Sequence, residues 1–356
     1  MTIKAIHRYL SLVVAALWLV QAMTGILSVF RWEIDNATVT GASVPADYRA
    51  LGSQIDAMRS APDGSVSSLW SAGGSEARFT IYFSDATRSG VMLADGRGKP
   101  LRVRSSETAI ARGAFWDSVH TVHTSLFAGP AGEWLIGFSG IFLLTNIILG
   151  LKLAWPRRGT WRRILLLKPS GNTPAKLYGW HRKFGLWLGI PALVPIAAGV
   201  MLAFLDAVES GLDARLKEPA AIAVAAAPGT DVGAGRAISA ALEAYPGASF
   251  SGMYLPDHDT PWYRVRLRAP GEVPRKWGAT TVFVSQASGE ILHSYDASDP
   301  EPGRAVIDTV YPLHTGQIGG WVGRGLVFAI GLWLVGMIGF GIALWTKRRS
   351  RSVRKA

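Results

Sequence analysis

LYGWHRKFGLWLGIPALVPIAAGVMLAF, running from Leu177 to Phe204, is an apolar stretch with His181, Arg182 and Lys183 at its front edge. At about 1.5 Å of rise per residue, the roughly 20 residues after Lys183 would cross the ~30 Å hydrocarbon core of a bilayer as a helix. The histidine thus stands just inside one membrane face. The N-terminal stretch IKAIHRYLSLVVAALWLVQAMTGILSVF, Ile3 to Phe30, echoes it at an offset of 174 positions. His7 falls on His181, Arg8 on Arg182, Leu12 on Leu186, Gly25 on Gly199 and Phe30 on Phe204. The chain contains an internal repeat, and each copy opens on a histidine.

Four apolar runs have the length of a tilted transmembrane helix: Tyr9 to Phe30, Trp134 to Trp155, Phe184 to Phe204 and Val322 to Trp345. The first is longer than a signal-peptide core and no small-x-small site follows it cleanly, so it is read as a retained helix. The formal net charge is +12, and its placement is informative. Sixteen cations, from Lys4 and Arg8 through Arg157, Arg158, Arg162, Arg163, Lys168, Lys176, Arg182 and Lys183 to the six of the tail that starts with Lys347, flank the runs on one side with no acid among them; the rest of the chain nets −4. That is the positive-inside pattern, which puts both termini and the loop after Pro156 in the cytoplasm and two large segments outside. It also removes the reason to expect a nucleic-acid partner, and leaves membrane lipid as the surroundings of the apolar runs.

The chain has no cysteine, which excludes disulfides, thiolate metal sites and thioether-bound haem. Histidine is the remaining strong iron ligand, and there are seven: His7, His120, His123, His181, His258, His293 and His314.

Each outer segment reads as a small helix-plus-antiparallel-sheet module. In the first, a helix over Asp47 to Ser60 precedes strands at Ala77 to Phe83, Gly90 to Leu93 and Leu101 to Arg104. In the second, a loosely ordered linker over Ala214 to Gly235 overlaps a helix over Asp231 to Tyr245, and strands follow at Phe250 to Leu255, Trp262 to Leu267, Thr280 to Val284 and Glu290 to Tyr295. The chain therefore divides into helix 1 (1–31), module 1 (32–115), a histidine-bearing approach with helix 2 (116–155), a basic loop (156–178), helix 3 (179–206), module 2 (207–306), a second histidine-bearing approach with helix 4 (307–346) and a basic tail (347–356). The expected fold is an α-helical membrane protein of four transmembrane helices in two parallel repeats, carrying two outer α+β modules.

The second halves of the repeat match at an offset of 191, with Asp117 on Asp308, His123 on His314 and Gly132 on Gly323. Repeat symmetry sorts the histidines into an inner pair, His7 with His181, and an outer pair, His123 with His314. Two imidazoles facing each other through one iron are what six-coordinate haem b requires, and a four-helix bundle supplies such a cavity. The plainer alternative is that these side chains lie in the headgroup zone or cap helices, their matching positions being inherited with the repeat. His120 shares a helical face with His123, but its repeat counterpart is Tyr311, so it is an additional candidate without a symmetric role. His258 and His293 have no counterparts and read as surface residues. Gln21, Thr24, Thr145 and Asn146 read as helix-to-helix hydrogen-bonding groups. Trp70, Tyr82, Trp262, Tyr263 and Trp277 are candidates to line a chelate site, against the simpler reading as module core.

The openings HRYLSL and HRKFGL, the closings MTGILSVF and AAGVMLAF, the approaches HTSLFAGPAG and HTGQIGGWVG, and the Trp-then-basic ends resemble the PepSY-associated transmembrane family, whose members include FoxB-type ferric-siderophore reductases and PiuB-type iron-regulated proteins. The outer segments, especially TTVFVSQASGEIL, resemble PepSY domains. The resemblance implies an inner-membrane, b-type haem protein that reduces ferric siderophores in the periplasm, with His7, His181, His123 and His314 as axial ligands of two non-covalent haems. The chain has no nucleotide-binding fingerprint, so a quinol or a cytoplasmic reductase would be its electron donor. The competing readings are a non-enzymatic envelope sensor or interaction protein with structural histidines, and a metal permease, against which the scarcity of membrane-depth carboxylates counts.

Overall fold

The computed structural model describes residues 2–41, 44–86, 89–105, 114–219 and 231–353. The middle of the expected linker, 220–230, and the end of the basic tail, 354–356, lie outside the described residues. In chain order the elements are α1 (Ile3–Val29), α2 (Arg31–Ala37), α3 (Tyr48–Ser60), β1 (Ser65–Ala72), β2 (Ser75–Ser84), β3 (Ser89–Asp95), β4 (Pro100–Ser105), α4 (Phe115–Ser125), α5 (Gly129–Ala154), α6 (Trp161–Leu166), α7 (Thr173–Ala203), α8 (Leu205–Gly211), α9 (Ala234–Ala244), β5 (Ser249–Tyr254), β6 (Trp262–Arg268), β7 (Thr280–Ser285), β8 (Ile291–Tyr295), α10 (Pro302–His314) and α11 (Gly320–Val353). They form two compact units, one helical and one built on a sheet.

The helical unit contains four helices long and apolar enough to cross a membrane, namely α1, α5, α7 and the span from Gln317 to Lys347 that includes most of α11. Each begins before an expected run and covers it to within its last residue, because helices continue past the hydrocarbon boundary wherever capping allows. At the start of α7 the Asn172 side chain accepts from the Ala175 amide at 3.2 Å and proline occupies the first turn, where its missing N–H costs nothing. α1 packs against α5 and α11, and α7 packs against the same two helices, so α1 and α7 stand on one diagonal of a four-helix square. A waist of Trp18, Leu143 and Ile147, with Leu10, Val14, Leu193, Ile196 and Trp333 around them, fills the bundle interior. The indole N–H groups at this depth are satisfied by backbone carbonyls, Trp18 by Ser139 at 3.1 Å and Trp333 by Phe184 at 2.9 Å. Two buried cations serve helix ends. Arg324 donates to the carbonyl of Val29, the last residue of α1, at 2.6 Å, and Lys183 donates to Leu166 and Leu167 at the end of α6.

The sheet unit corrects one expectation. The two outer segments do not stand as separate modules: they share one antiparallel sheet in the order β4-β3-β2-β1-β5-β6-β7-β8, joined where Leu69 of β1 pairs with Met253 of β5. α3 and α9 cover one face over a single core that includes Leu51, Ile55, Phe79, Ile238, Phe250, Tyr263 and Val282, all essentially inaccessible to solvent. Each such side chain contributes about 1.5–3 kcal/mol on burial, enough to hold the two halves as one body. β1, which makes the junction, is not among the expected strands. Its sequence SVSSLWSA has serines where a strand signal needs β-branched residues, and only partner strands on both sides make it regular.

Candidate functional site

The loops that lead into α5 and α11 decide where the outer histidines lie. After α4 the chain passes through Leu126, Phe127 and Gly129 with positive φ, and after α10 through Gly316 and Gly320, also with positive φ. The returning helix approaches very closely: a Cβ on Gly132 would lie on the Ser125 carbonyl, and one on Gly323 on the Gly316 carbonyl. Only glycine permits these approaches, which explains why the sequence matches Gly132 with Gly323. The result is that α4 and α10 end against the bundle and deliver His123 and His314 to it.

Within the helical unit the four candidates meet as two pairs. The rings of His7 and His181 have centroids 6.3 Å apart and are inclined by 64°; those of His123 and His314 are 6.0 Å apart and inclined by 30°. Metal–imidazole bonds of about 2.0–2.1 Å on each side, plus roughly 1.1 Å from each nitrogen to its ring centre, separate two centroids by about 6.3 Å when one ion lies between them. Both pairs meet that spacing. Their separation along the bundle follows from helix rise. His123 packs on Gly25 of α1 and His314 on Gly199 of α7. Each glycine is 18 residues beyond the inner histidine of its own helix, or about 27 Å at 1.5 Å per residue, close to the ~30 Å of a hydrocarbon core. The apolar waist lies between the two levels.

Three of the four rings are held by a specific seat. His7 donates from Nδ1 to the carbonyl of Asn146 at 3.1 Å, and its edge lies over Gly150, where a Cβ would come within 3.0 Å of the ring carbon Cε1. His314 donates from Nδ1 to the carbonyl of Pro195 at 2.8 Å and lies over Gly199, where a Cβ would come within 2.7 Å of Cε1. The two seats share one design: a helix carbonyl takes the Nδ1 proton, and a glycine four residues on makes room for the ring. His123 uses a variant. Its Nδ1 is 3.0 Å from the Thr24 hydroxyl, and Gly25 supplies the room, with a Cβ there falling 3.2 Å from Cε1. Thr24 donates its own proton to the Val20 carbonyl at 2.7 Å, so the hydroxyl accepts from His123. Carbonyl oxygens only accept, so the Asn146 and Pro195 seats fix the Nδ1–H tautomer of His7 and His314 and put the lone pair on Nε2.

The other candidates lie elsewhere. His120 is exposed, one turn before His123 and outside the pair. His258 and His293 are exposed side chains of the sheet unit, His293 stacked on Phe283. Of the polar helix residues, Gln21 and Asn146 bond to other helices as expected, through Val122 and Ser11, while Thr145 bonds within its own helix to Ile141. Thr24 does more, because its partner is the ring of His123. Thr24, Gly25, Gly150 and Gly199 are the seat positions that spacing alone did not assign to a histidine, although the match of Gly25 with Gly199 was a visible sign.

In the sheet unit, the aromatic candidates fill structural roles. Tyr263 is fully buried and donates to Asp231 at 2.6 Å, Trp262 is buried edge-on to Phe283, and Trp277 donates to the Ser71 carbonyl at 2.9 Å. Trp70 stands edge-on to Tyr254 at 5.2 Å, beneath Arg266 at 5.9 Å. Asp231 also accepts from Arg59 at 2.8 Å and Gln286 at 3.0 Å. Burial opposes ionisation of Asp231, but the bonds from Tyr263, the Gly233 amide and Gln286, with the Arg59 charge, hold its carboxyl below the usual carboxylate range. The same burial and the Asp231 bond push the Tyr263 phenol up. This cluster ties α3 to the start of α9 and is already satisfied.

Among the described residues no group of three or more His, Asp or Glu side chains could enclose a bare metal ion. Two imidazoles per level are the donor set that an iron would need if a porphyrin filled its other four positions. Four apolar helices long enough to cross a membrane, carrying two histidine pairs, define a polytopic membrane protein. The chain matches the family of PepSY-associated TM regions over residues 5–348 and belongs to that family. Among curated proteins none matches it significantly.

Proposed function

We propose that this protein is an inner-membrane, b-type haem oxidoreductase that carries single electrons from a quinol or a cytoplasmic reductase to ferric siderophores in the periplasm. The observation that carries the reading is the two imidazole pairs with ring centroids at 6.3 and 6.0 Å, with His7 and His314 each held through Nδ1 by a helix carbonyl. Haem bound at each level would supply a one-electron iron couple there. His7 and His181 would hold the inner group, and His123 and His314 the outer one. Seats formed by Asn146, Pro195 and Thr24 keep the rings oriented, and the waist around Trp18 and Trp333 excludes water between the levels.

The proposed orientation follows from the cationic flanks: the His7 and His181 end faces the cytoplasm and the sheet unit faces the periplasm. Two parallel repeats are supported by the matched seats on α1 and α7 and by a sheet whose halves come one from each outer segment. PepSY character of the outer segments, and a resemblance to siderophore reductases within the family, belong to the same reading. Reduction would weaken the hold of hard oxygen donors on iron, which is the chemical reason a ferric chelate suits such a chain.

The test is the visible spectrum of detergent-purified protein from haem-replete cells. A Soret band with sharp alpha and beta bands on reduction is expected. A colourless, folded protein would overturn the haem reading and favour a non-enzymatic sensor with structural histidines.

A further inference from the structure

Three histidines are seated through Nδ1, and the fourth is not. His181 Nδ1 is buried and has no hydrogen-bond partner among the described residues. The sequence nevertheless contains the elements of a fourth seat. The offset of 191 that places His123 on His314 also places Asn146 on Met337 and Gly150 on Gly341. α7 and α11 are in the matching register, because Gly185, the counterpart of Ser11, faces the Met337 methyl at 3.3 Å from where a Cβ would be, just as Ser11 bonds Asn146 at 2.9 Å. Yet a Cβ built on Gly341 would meet nothing within 4 Å, whereas one on Gly150 would strike His7. The glycine is present and the ring does not rest on it.

The difference has a local cause. At the His7 seat, Asn146 is fastened to α1 by its side chain: its amide donates to Ser11, and Ser11 donates to the His7 carbonyl at 2.6 Å. Gly185 and Met337 replace that pair by a single apolar contact, which leaves the helix carbonyls of α11 untied to the turn that carries His181. Partners of a ligating imidazole raise its basicity and fix its direction, and losing one costs about ten- to a hundred-fold in metal affinity.

From these observations, and resting on the haem reading above, we infer that His181 is the exchangeable ligand of the four, so that the His7 and His181 level is where a small neutral ligand of the carbon monoxide or imidazole type can displace a histidine. Its counterpart His7 stays bound. The outer level, with both rings seated, resists exchange. Displacement forms one metal–ligand bond, breaks one to Nε2 of His181, and requires no electron or proton from outside.

Carbon monoxide provides the direct probe. In the dithionite-reduced, haem-loaded full chain, about half of the haem should shift to a carbonyl spectrum and the other half should keep its alpha band. The double variant Gly185→Ser/Met337→Asn, which copies the Ser11 and Asn146 pair onto the second repeat, should lower carbon monoxide affinity at least ten-fold while the reduced spectrum still reports two haems. Conversion of both haems or of neither, or an unchanged affinity in the variant, would overturn the inference. A second measurement decides the matter whether or not the variant folds and whether or not haem binds. In ¹⁵N-histidine spectra of protein from haem-deficient cells, His7, His123 and His314 should show locked Nδ1–H rings, and the resonance lost in His181→Gln should not. If His181 is locked like the rest, the ligand asymmetry is wrong; if haem never binds while the asymmetry is seen, the haem reading alone has failed.

Discussion

His314 donates from Nδ1 to the Pro195 carbonyl at 2.8 Å, and Gly199, one helical turn further along α7, is the residue that lets it come so close. Adding a methyl group to that glycine would place carbon 2.7 Å from the ring, against 3.0 Å at Gly150 and 3.2 Å at Gly25. Gly199→Ala should therefore displace its histidine most, Gly150→Ala less and Gly25→Ala least. Haem content by pyridine haemochrome should fall in that order, with the Gly199 variant losing most of one haem and Gly25→Ala losing least. An inverted order would detach the glycines from ligand positioning.

Stoichiometry is the second expectation. The intact chain should bind close to two b-type haems, and His7→Ala and His314→Ala should each remove one. If removing either pair leaves the haem content unchanged, that pair is structural.

Direction of flow can be read from two further variants. His123→Ala should abolish ferric-chelate reduction while the inner haem remains reducible by its donor. His7→Ala should block donor-driven reduction of the outer haem, which dithionite would still reduce. Stopped-flow absorbance separates the two, and wild-type ferric-siderophore reduction in both variants would show that the histidines are not an electron path.

Orientation is testable without any cofactor. A reporter inserted between Gly159 and Asn172 should report from the cytoplasm, and one at the exposed Gly271 turn of the sheet unit from the periplasm. The reverse activities would invert the proposed topology.

The sheet unit has its own pH signature. Because the Asp231 carboxyl is held below its ordinary value, its contribution to stability is complete above the unfolded pKa of about 3.9 and is lost as pH falls through the lower folded value. Asp56, close by, is shifted upward, chiefly by burial, and acts in the opposite sense, so the measurement belongs in an Asp56→Asn background. There the melting temperature should drop below about pH 4, and Asp231→Ala should flatten the drop while costing roughly 2–4 kcal/mol at neutral pH by stranding Tyr263 and Arg59. Equal acid sensitivity with and without Asp231 would show that the cluster does not control acid stability.

The four spans, their histidines and the sorting of those histidines into two pairs were legible in the sequence. A bilayer demands apolar runs of one length, and a repeat displays equivalent positions at a constant offset. Strands rich in β-branched residues, such as TTVFVS in β7, were legible for the same local reason. Three things required the tertiary structure. The first is β1: its serines carry no strand signal of their own, and β2 and β5 supply the hydrogen-bonding partners that make it the centre of one sheet rather than the edge of two modules. The second is the set of carbonyl and glycine seats, because which carbonyl faces which imidazole depends on how α1, α5, α7 and α10 are rotated against one another. The third is the difference between His7 and His181. Both begin the same motif, HR followed by an apolar helix, but His7 bonds the carbonyl of an asparagine tied to Ser11, while the corresponding contact between α7 and α11 is only Gly185 against the Met337 methyl. A repeat makes two ligands equivalent in sequence; the neighbouring helix, which the motif does not contain, decides how tightly each is held.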